Sequence, residues 1–187
     1  MDDEELWQAY AWPSRCLRVN FVISLDGHIQ GPDGLSGTLS GPHDRRLFHM
    51  LRAGCDAIMV GAGTARTETY KSVAIRSPWE QFREQSGPPT LILVSASGNV
   101  PEIEGAIVSD GSDLTDLRER YPKILCEGGP RLFSTLLEEG LVDELALSIS
   151  AGIGGFGSLV LDGVSAQTRP KHTHVNDEGL FTLWDVT

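Results

Sequence analysis

The 187-residue chain is poor in cysteine, lysine and long apolar runs. Three Cys at wide spacing give neither a disulfide framework nor a metal-binding pair, which suits reduced thiols in a cytoplasm. No apolar run approaches the ~20 residues of a membrane span. The opening Met1-Asp2-Asp3-Glu4-Glu5 is acidic where a secretory leader is basic. Basic residues are outnumbered, 15 Lys+Arg against 26 Asp+Glu, for a net charge of −11. Such a balance argues against nucleic acid or an anionic membrane as partner. Only three of the basic residues are Lys, so local positive charge is mostly guanidinium, suited to bidentate phosphate contacts. Hydrophobic residues at 40% and charged residues at 22% are ordinary for a folded domain and wrong for a disordered one. One domain over residues 1–187, with 1–16 as an ordered lead-in, buries roughly 70% of its unfolded surface and needs no metal staple.

Buried strands are expected at Leu17–Ser24, Asp56–Val60, Thr90–Val94, Gly105–Val108 and Lys123–Cys126, from short β-branched, nearly uncharged runs. Helices are expected at His43–Ala53, Ser112–Arg120 and Arg131–Glu139, the second capped by Ser112 and the third stopped by Gly140. Leu25–Pro42 reads as loop, and Thr67–Pro89 as a long polar connection with some mobility. Asp143–Ser150, His172–Val175 and Phe181–Val186 read as closing strands, the last two antiparallel. Strands alternating with helices, then strands alone, give an α/β class: three layers around a mostly parallel sheet with an antiparallel edge. Ligands in such sheets sit at the carboxyl ends of strands.

Several strand ends carry unusual chemistry. Glu127-Gly128-Gly129-Pro130 follows a strand and opens a helix, where free N–H groups and the positive end of the dipole suit a pyrophosphate. An ordinary tight strand-to-helix turn uses the same residues. Gly61-Ala62-Gly63-Thr64-Ala65-Arg66 repeats the pattern and adds a hydroxyl and a guanidinium. Arg66 stands where the third Gly of a dinucleotide fingerprint belongs. Two such turns at neighbouring strand ends favour a dinucleotide site. Ser95 and Ser97 end another strand and suit a ribose or its phosphate, or simple turn chemistry. Ser24-Leu25-Asp26-Gly27 closes the first strand as a turn that can also face a ligand. Asp44 shares a helix face with Phe48, Leu51 and Cys55, so a carboxylate tops the stripe that faces the sheet. It is either a first-turn residue bent to solvent or a partly buried acceptor for the paired donors of an aminopyrimidine or pterin. Glu68 and Tyr70 follow Arg66 and can reach the same pocket. His172 and His174 alternate on a strand without a third ligand, so no metal site is expected.

Taken together, VNFVISLDGHI, SGTLSGPHDRRLFHMLRAGCDAIMVGAGTAR, CEGGPRLFSTLLEEGLVDELALSIS and IGGFG resemble the riboflavin-pathway pyrimidine reductase family, over roughly residues 17–162. The resemblance implies a dihydrofolate-reductase-like fold, NADPH as hydride donor and a homodimer. It places Gly61, Gly63, Thr64, Gly128, Gly129 and Leu132 in the cofactor cleft, Ser95 and Ser97 near the adenosine ribose and its phosphate, and Asp26 by the nicotinamide and substrate. Gly41-Pro42-His43-Asp44-Arg45 and Gly63-Thr64-Ala65-Arg66-Thr67-Glu68-Thr69-Tyr70 are similar to one subgroup of it. Where riboflavin enzymes continue with an Asp-Asp-Pro segment of the ribityl-phosphate site, this chain has Arg66-Thr67-Glu68-Thr69-Tyr70.

The expectation is hydride transfer from NADPH to a pyrimidine- or pterin-like heterocycle. Asp26, Asp44 and Glu68 would do the catalytic work, with Asp44 orienting the ring and Asp26 or Glu68 organising the proton. Ser24, Ser40 and Tyr70 join Asp26 and Asp44 as substrate-side residues. Arg66, Glu127 and Pro130 join the cofactor side, and Arg45 or Arg46 adds local positive charge. The rivals are a riboflavin-pathway reductase proper and a nucleotide-binding sensor or partner without catalysis. An anionic cofactor requires a cleft that departs from the acidic average.

Overall fold

In the computed structural model, residues 1–160, 162–163 and 165–187 are described. The elements in chain order are α1 (Asp3–Ala9), β1 (Cys16–Ile23), β2 (His28–Gln30), α2 (Pro42–Gly54), β3 (Ala57–Gly61), α3 (Ala62–Thr67), β4 (Thr90–Val94), β5 (Ile107–Ser109), α4 (Leu114–Arg120), β6 (Lys123–Cys126), α5 (Pro130–Glu138), β7 (Glu144–Ser150), β8 (Phe156–Leu159), β9 (Thr168–Asn176) and β10 (Gly179–Val186). Eight strands form one sheet in the order β5-β4-β3-β6-β1-β7-β10-β9. The strands from β5 to β7 run parallel, and β10 and β9 close the edge antiparallel. This is the expected architecture.

Helices cover both faces, and the two-residue period of each strand divides its side chains between them. Leu17, Val19 and Phe21 of β1 and Ala57 and Met59 of β3 pack under α4 and α5, against Leu117, Leu132, Phe133 and Leu136. Ile58 and Val60 of β3 turn the other way, toward Leu6 of α1, Leu47, Met50 and Leu51 of α2, and Ala65 of α3. Every parallel strand therefore presents its carboxyl end at one edge of a sheet buried on both sides.

The structure adds detail to two expectations and corrects two. The lead-in contains a helix, α1, closed by a capping box in which Asp2 accepts from Glu5 N and Glu5 from Asp2 N. The loop after β1 holds β2, which pairs with β8 as a separate two-stranded ribbon. Both strands are too short and too exposed to show a periodic apolar signal. The connection from residue 67 to 89 is fastened by Trp79, 2% exposed, in a 3₁₀ turn Trp79–Phe82 that packs on α2. Finally, α4 takes Asp113 as its N-cap; Ser112 instead donates to Asp110. Among the described residues no helix is long and apolar enough to cross a membrane.

Candidate active site

The two glycine turns meet at the carboxyl edge of the sheet. β3 and β6 are neighbours, and Gly61 N donates to Gly128 O at 3.1 Å, just past the last strand pair. Gly128 and Gly129 hold φ of +104° and +88°, which side chains resist. A Cβ on Gly128 would stand 3.2 Å from the Phe21 ring, and one on Gly129 3.3 Å from Thr64 Oγ1. Only bare backbone fits this crossing, and Gly129-Pro130 then opens α5 with free N–H groups.

These turns line a cavity of about 1210 Å³, large enough for a dinucleotide with a second ligand. Gly61, Gly63, Thr64, Arg66, Glu127, Gly128, Gly129, Pro130 and Leu132 line it, as do Ser95 and Ser97 at the end of β4. The Arg66 guanidinium donates to the Asn99 carbonyl and so stands over the Ser95–Asn99 turn. Ser40, Asp44, Glu68 and Tyr70 line the same cavity. One space thus joins the cofactor-side residues with Ser40, Asp44, Glu68 and Tyr70. Five Lys and Arg side chains (Arg45, Arg52, Arg66, Lys71, Arg131) line it against four acids (Asp44, Glu68, Asp110, Glu127), although acids dominate the chain as a whole.

Asp44 sits in the first turn of α2 and is 6% exposed. The side chain points inward rather than to solvent. Ser40 Oγ donates to its Oδ2. Burial raises the pKa of its carboxyl; the hydroxyls of Ser148 and Ser40 partly offset this, and the nearby Glu178 adds to it. Glu68 accepts from Ser36 N at 2.9 Å and ties the turn before α2 to the end of α3.

Asp26 and Ser24 are not among the cavity-lining residues. Asp26 is exposed, and its carboxylate accepts from Gly154 N at 3.1 Å and Gly155 N at 3.4 Å. Ser24 and those N–H groups hold its pKa down to about 2, so it is an anion that braces a loop. Ser24 Oγ accepts from His28 N and closes the same turn. The Asp-Gly turn chemistry claims both residues.

Glu127 faces the cavity with its acceptors already occupied. Arg52 donates to it from Nε and Nη2, each at 2.6 Å, and Tyr70 Oη donates to Oε2. Burial, then the Glu127 charge, raises the Tyr70 phenol well above its ordinary pKa, so it stays protonated. Thr69 adopts a left-handed φ of 52° immediately before Tyr70. Arg52 also lies 4.1 Å over the Phe48 ring. Sequence reasoning missed Arg52, although Asp44, Phe48 and Arg52 follow at four-residue steps along one helix face. It also missed His49, which lines the cavity with Nδ1 buried and unpartnered among the described residues. Burial, then Arg76 and Arg52, lowers its pKa to about 4, so the ring is neutral.

Residues 15–182 match the RibD C-terminal domain family. The chain is 31% identical to a 2,5-diamino-6-ribosylamino-4(3H)-pyrimidinone 5′-phosphate reductase from Methanothermobacter thermautotrophicus, over 90% of this chain and 87% of the relative. In structure it resembles a pyrimidine reductase-like protein from Corynebacterium diphtheriae at 23% identity, with a TM-score of 0.76 over 97% of this chain and 98% of that one. It also resembles a dihydrofolate reductase from Enterococcus faecalis complexed with NADP(H), at 15% identity and TM-score 0.58, over 91% of this chain and 96% of that one. The fold is therefore dihydrofolate-reductase-like, and the chain belongs to the RibD C-terminal domain family.

Proposed function

We propose that the protein is an NADPH-dependent reductase acting on a pyrimidine- or pterin-like heterocycle, with an aminopyrimidinone as the first choice. The observation that carries this reading is that Asp44 lines the same cavity as Gly63, Gly128 and Gly129. The bare glycine crossing and the start of α5 fit a pyrophosphate, because backbone N–H groups and a positive dipole end stand where no Cβ can. Arg66, Ser95 and Ser97 fit the adenosine ribose and its phosphate. The cofactor, when bound, supplies the hydride.

The chain's own residues position the heterocycle, exclude water and handle the proton. Asp44 accepts the paired N–H donors of the ring edge, and Ser40 holds that carboxyl in place. Its raised pKa suits it to hold the proton that the reduced C=N or C=O acquires beside the new C–H bond. Glu68 braces the turn before α2. Arg52, Glu127 and Tyr70 form a closed unit that fixes the cavity wall rather than binding cofactor. The similarity to the archaeal relative supports an aminopyrimidinone substrate.

NADPH oxidation measured against that aminopyrimidinone phosphate, its dephosphorylated form and a set of pterins tests the reading. Turnover of one of them is expected, with kcat/KM lowered roughly 10²–10⁴-fold in Asp44→Asn. Binding of NADPH with no oxidation by any of them would make the protein a sensor or partner instead. A homodimer comes with the reading through the family resemblance and a cytoplasmic setting through the three widely spaced Cys, and sedimentation velocity decides the first.

A further inference from the structure

Helix α2 starts without a capping side chain of its own, because Gly41 is its N-cap. The missing acceptor comes from 135 positions later. Glu178, in the turn between β9 and β10, accepts the His43 N–H through Oε2 at 2.8 Å and Oε1 at 3.2 Å. The approach needs a glycine: a Cβ on Gly41 would lie 2.1 Å from Glu178 Oε2. The turn is held from its other side as well. Glu178 N donates to Asn176 Oδ1 at 2.9 Å, and Ala151 N donates to Glu178 O at 3.0 Å. Gly179 lies so close to β7 that a Cβ there would be 2.0 Å from the Ile149 carbonyl oxygen. Beyond the cap, the His43 ring packs 4.4 Å from Phe181 and 4.9 Å from His174. The β9–β10 hairpin is thus fastened to the first turn of α2, and Asp44 is the next residue along.

We propose that Glu178 is a positioning residue for the reaction: it caps α2 from the hairpin, sets where Asp44 stands in the cleft and places a fixed negative charge beside it. This rests on the reading of Asp44 as the ring-binding, proton-holding group. Four groups act on Asp44 from the surrounding elements. Burial apart, Glu178 favours its protonated form; Ser148 on β7, Ser40 before α2 and Arg45 on α2 favour the anion. Tyr10, after α1, feels the Asp44 charge in turn. On the Glu178 side, His43 is kept from protonation first by burial and then by His174 and Arg46, against the pull of Glu178. The His43 imidazole therefore leaves the Glu178 charge uncancelled at neutral pH.

The test is a carboxyl ¹³C titration of Asp44 in the ligand-free protein, its signal assigned with Asp44→Asn. Glu178→Gln keeps an oxygen for the His43 N–H and drops the charge. Its Asp44 midpoint is expected to fall by roughly 0.5–1 pH unit, since a nearby like charge is lost. The basic limb of the kcat/KM profile is expected to move the same way. Glu178→Asp keeps the charge on a shorter arm, so its midpoint stays closer to wild type. Should Glu178→Gln fail to fold, Gly41→Ser gives α2 its own cap and forces Glu178 away, and the same fall is expected. An Asp44 midpoint unchanged in whichever of Glu178→Gln and Gly41→Ser folds overturns the proposal. If Asp44→Asn turns over normally, the functional reading fails, while the titration still decides what Glu178 does.

Discussion

Asp44 has a hydroxyl, not a cation, as its closest partner, and it is 6% exposed. A carboxyl so placed favours its neutral form, chiefly through burial. The consequence for stability has a definite sign. A group whose folded pKa lies above its unfolded one contributes fully at low pH, and that contribution is lost as pH rises through the folded value. Asp44→Asn is therefore expected to melt higher than wild type at neutral pH, with a gap that narrows on acidification. Thermal melts of both proteins across a pH series check this; a gap that widens on acidification would contradict it. On the proposed role of Asp44, stability and turnover are set against each other at one side chain. Asp44 itself was legible in the sequence, because four-residue periodicity put it on the buried stripe. Arg52 and Glu178 were not. Their partners lie 75 and 135 positions away, and no local pattern announces a contact across that distance.

At the scale of elements, the glycine turns separate into two kinds. Gly129 has a left-handed φ and a tight 3.3 Å contact with Thr64 Oγ1 awaiting any Cβ, whereas Gly63 lies inside α3 with nothing within 4 Å of one. Gly129→Ala is expected to cost about 1–2 kcal/mol from backbone conformation alone, with more from the Thr64 contact, and to weaken NADPH binding. Gly63→Ala is expected to hold or raise the melting temperature, since Ala gains up to about 1 kcal/mol over Gly in a helix. It is also expected to weaken NADPH, because the added methyl enters open cavity. Melting curves and binding by tryptophan fluorescence distinguish the two. Equal destabilisation would mean that the crossing tolerates no difference in geometry. The strands were the most legible elements: Thr90–Val94 and Lys123–Cys126 have the bounds their apolar runs suggested. The β2–β8 ribbon was the least legible, because Phe156–Leu159 is exposed throughout and its partner is three residues long. The α1 helix had a readable sign in the Asp2 and Glu5 spacing of a capping box.

Across the whole molecule, one buried network ties the amino-terminal segment to the sheet and its far edge. Arg18 of β1 is fully buried and pairs with Glu144 of β7 at 2.5 Å. It also donates to the carbonyls of Tyr10 and Ala11 and stacks 4.1 Å over Trp12. Lys171 of the edge strand β9 reaches the other oxygen of Glu144. Although burial opposes it, Arg18 and Lys171 hold the Glu144 pKa below its ordinary value. This contribution is present at neutral pH and lost as pH falls through the folded value, opposite in sign to that of Asp44. Arg18→Met is expected to cost up to roughly 3–5 kcal/mol, because it leaves the buried Glu144 carboxylate with Lys171 as its remaining cation. It is also expected to speed hydrogen exchange over residues 3–12. Exchange mass spectrometry reads that segment directly, and unchanged protection there would show that α1 is held by its apolar contacts alone.

The place of β1 in the sheet also governs how the protein is made. It is made well before its partners, since the pairing partner of Arg18 lies 126 positions later. At ordinary rates of synthesis that interval is on the order of ten seconds. For most of it, the nascent segment from Cys16 to Ile23 has neither β6 nor β7 beside it, and β6 arrives first. Two exposed edges on an apolar strand invite pairing with other chains, so this stretch is where chaperones would be needed most. A fragment cut after Gly140 would keep β6 beside β1 but leave its β7 edge open permanently. A version cut there lacks the hairpin that caps α2 as well.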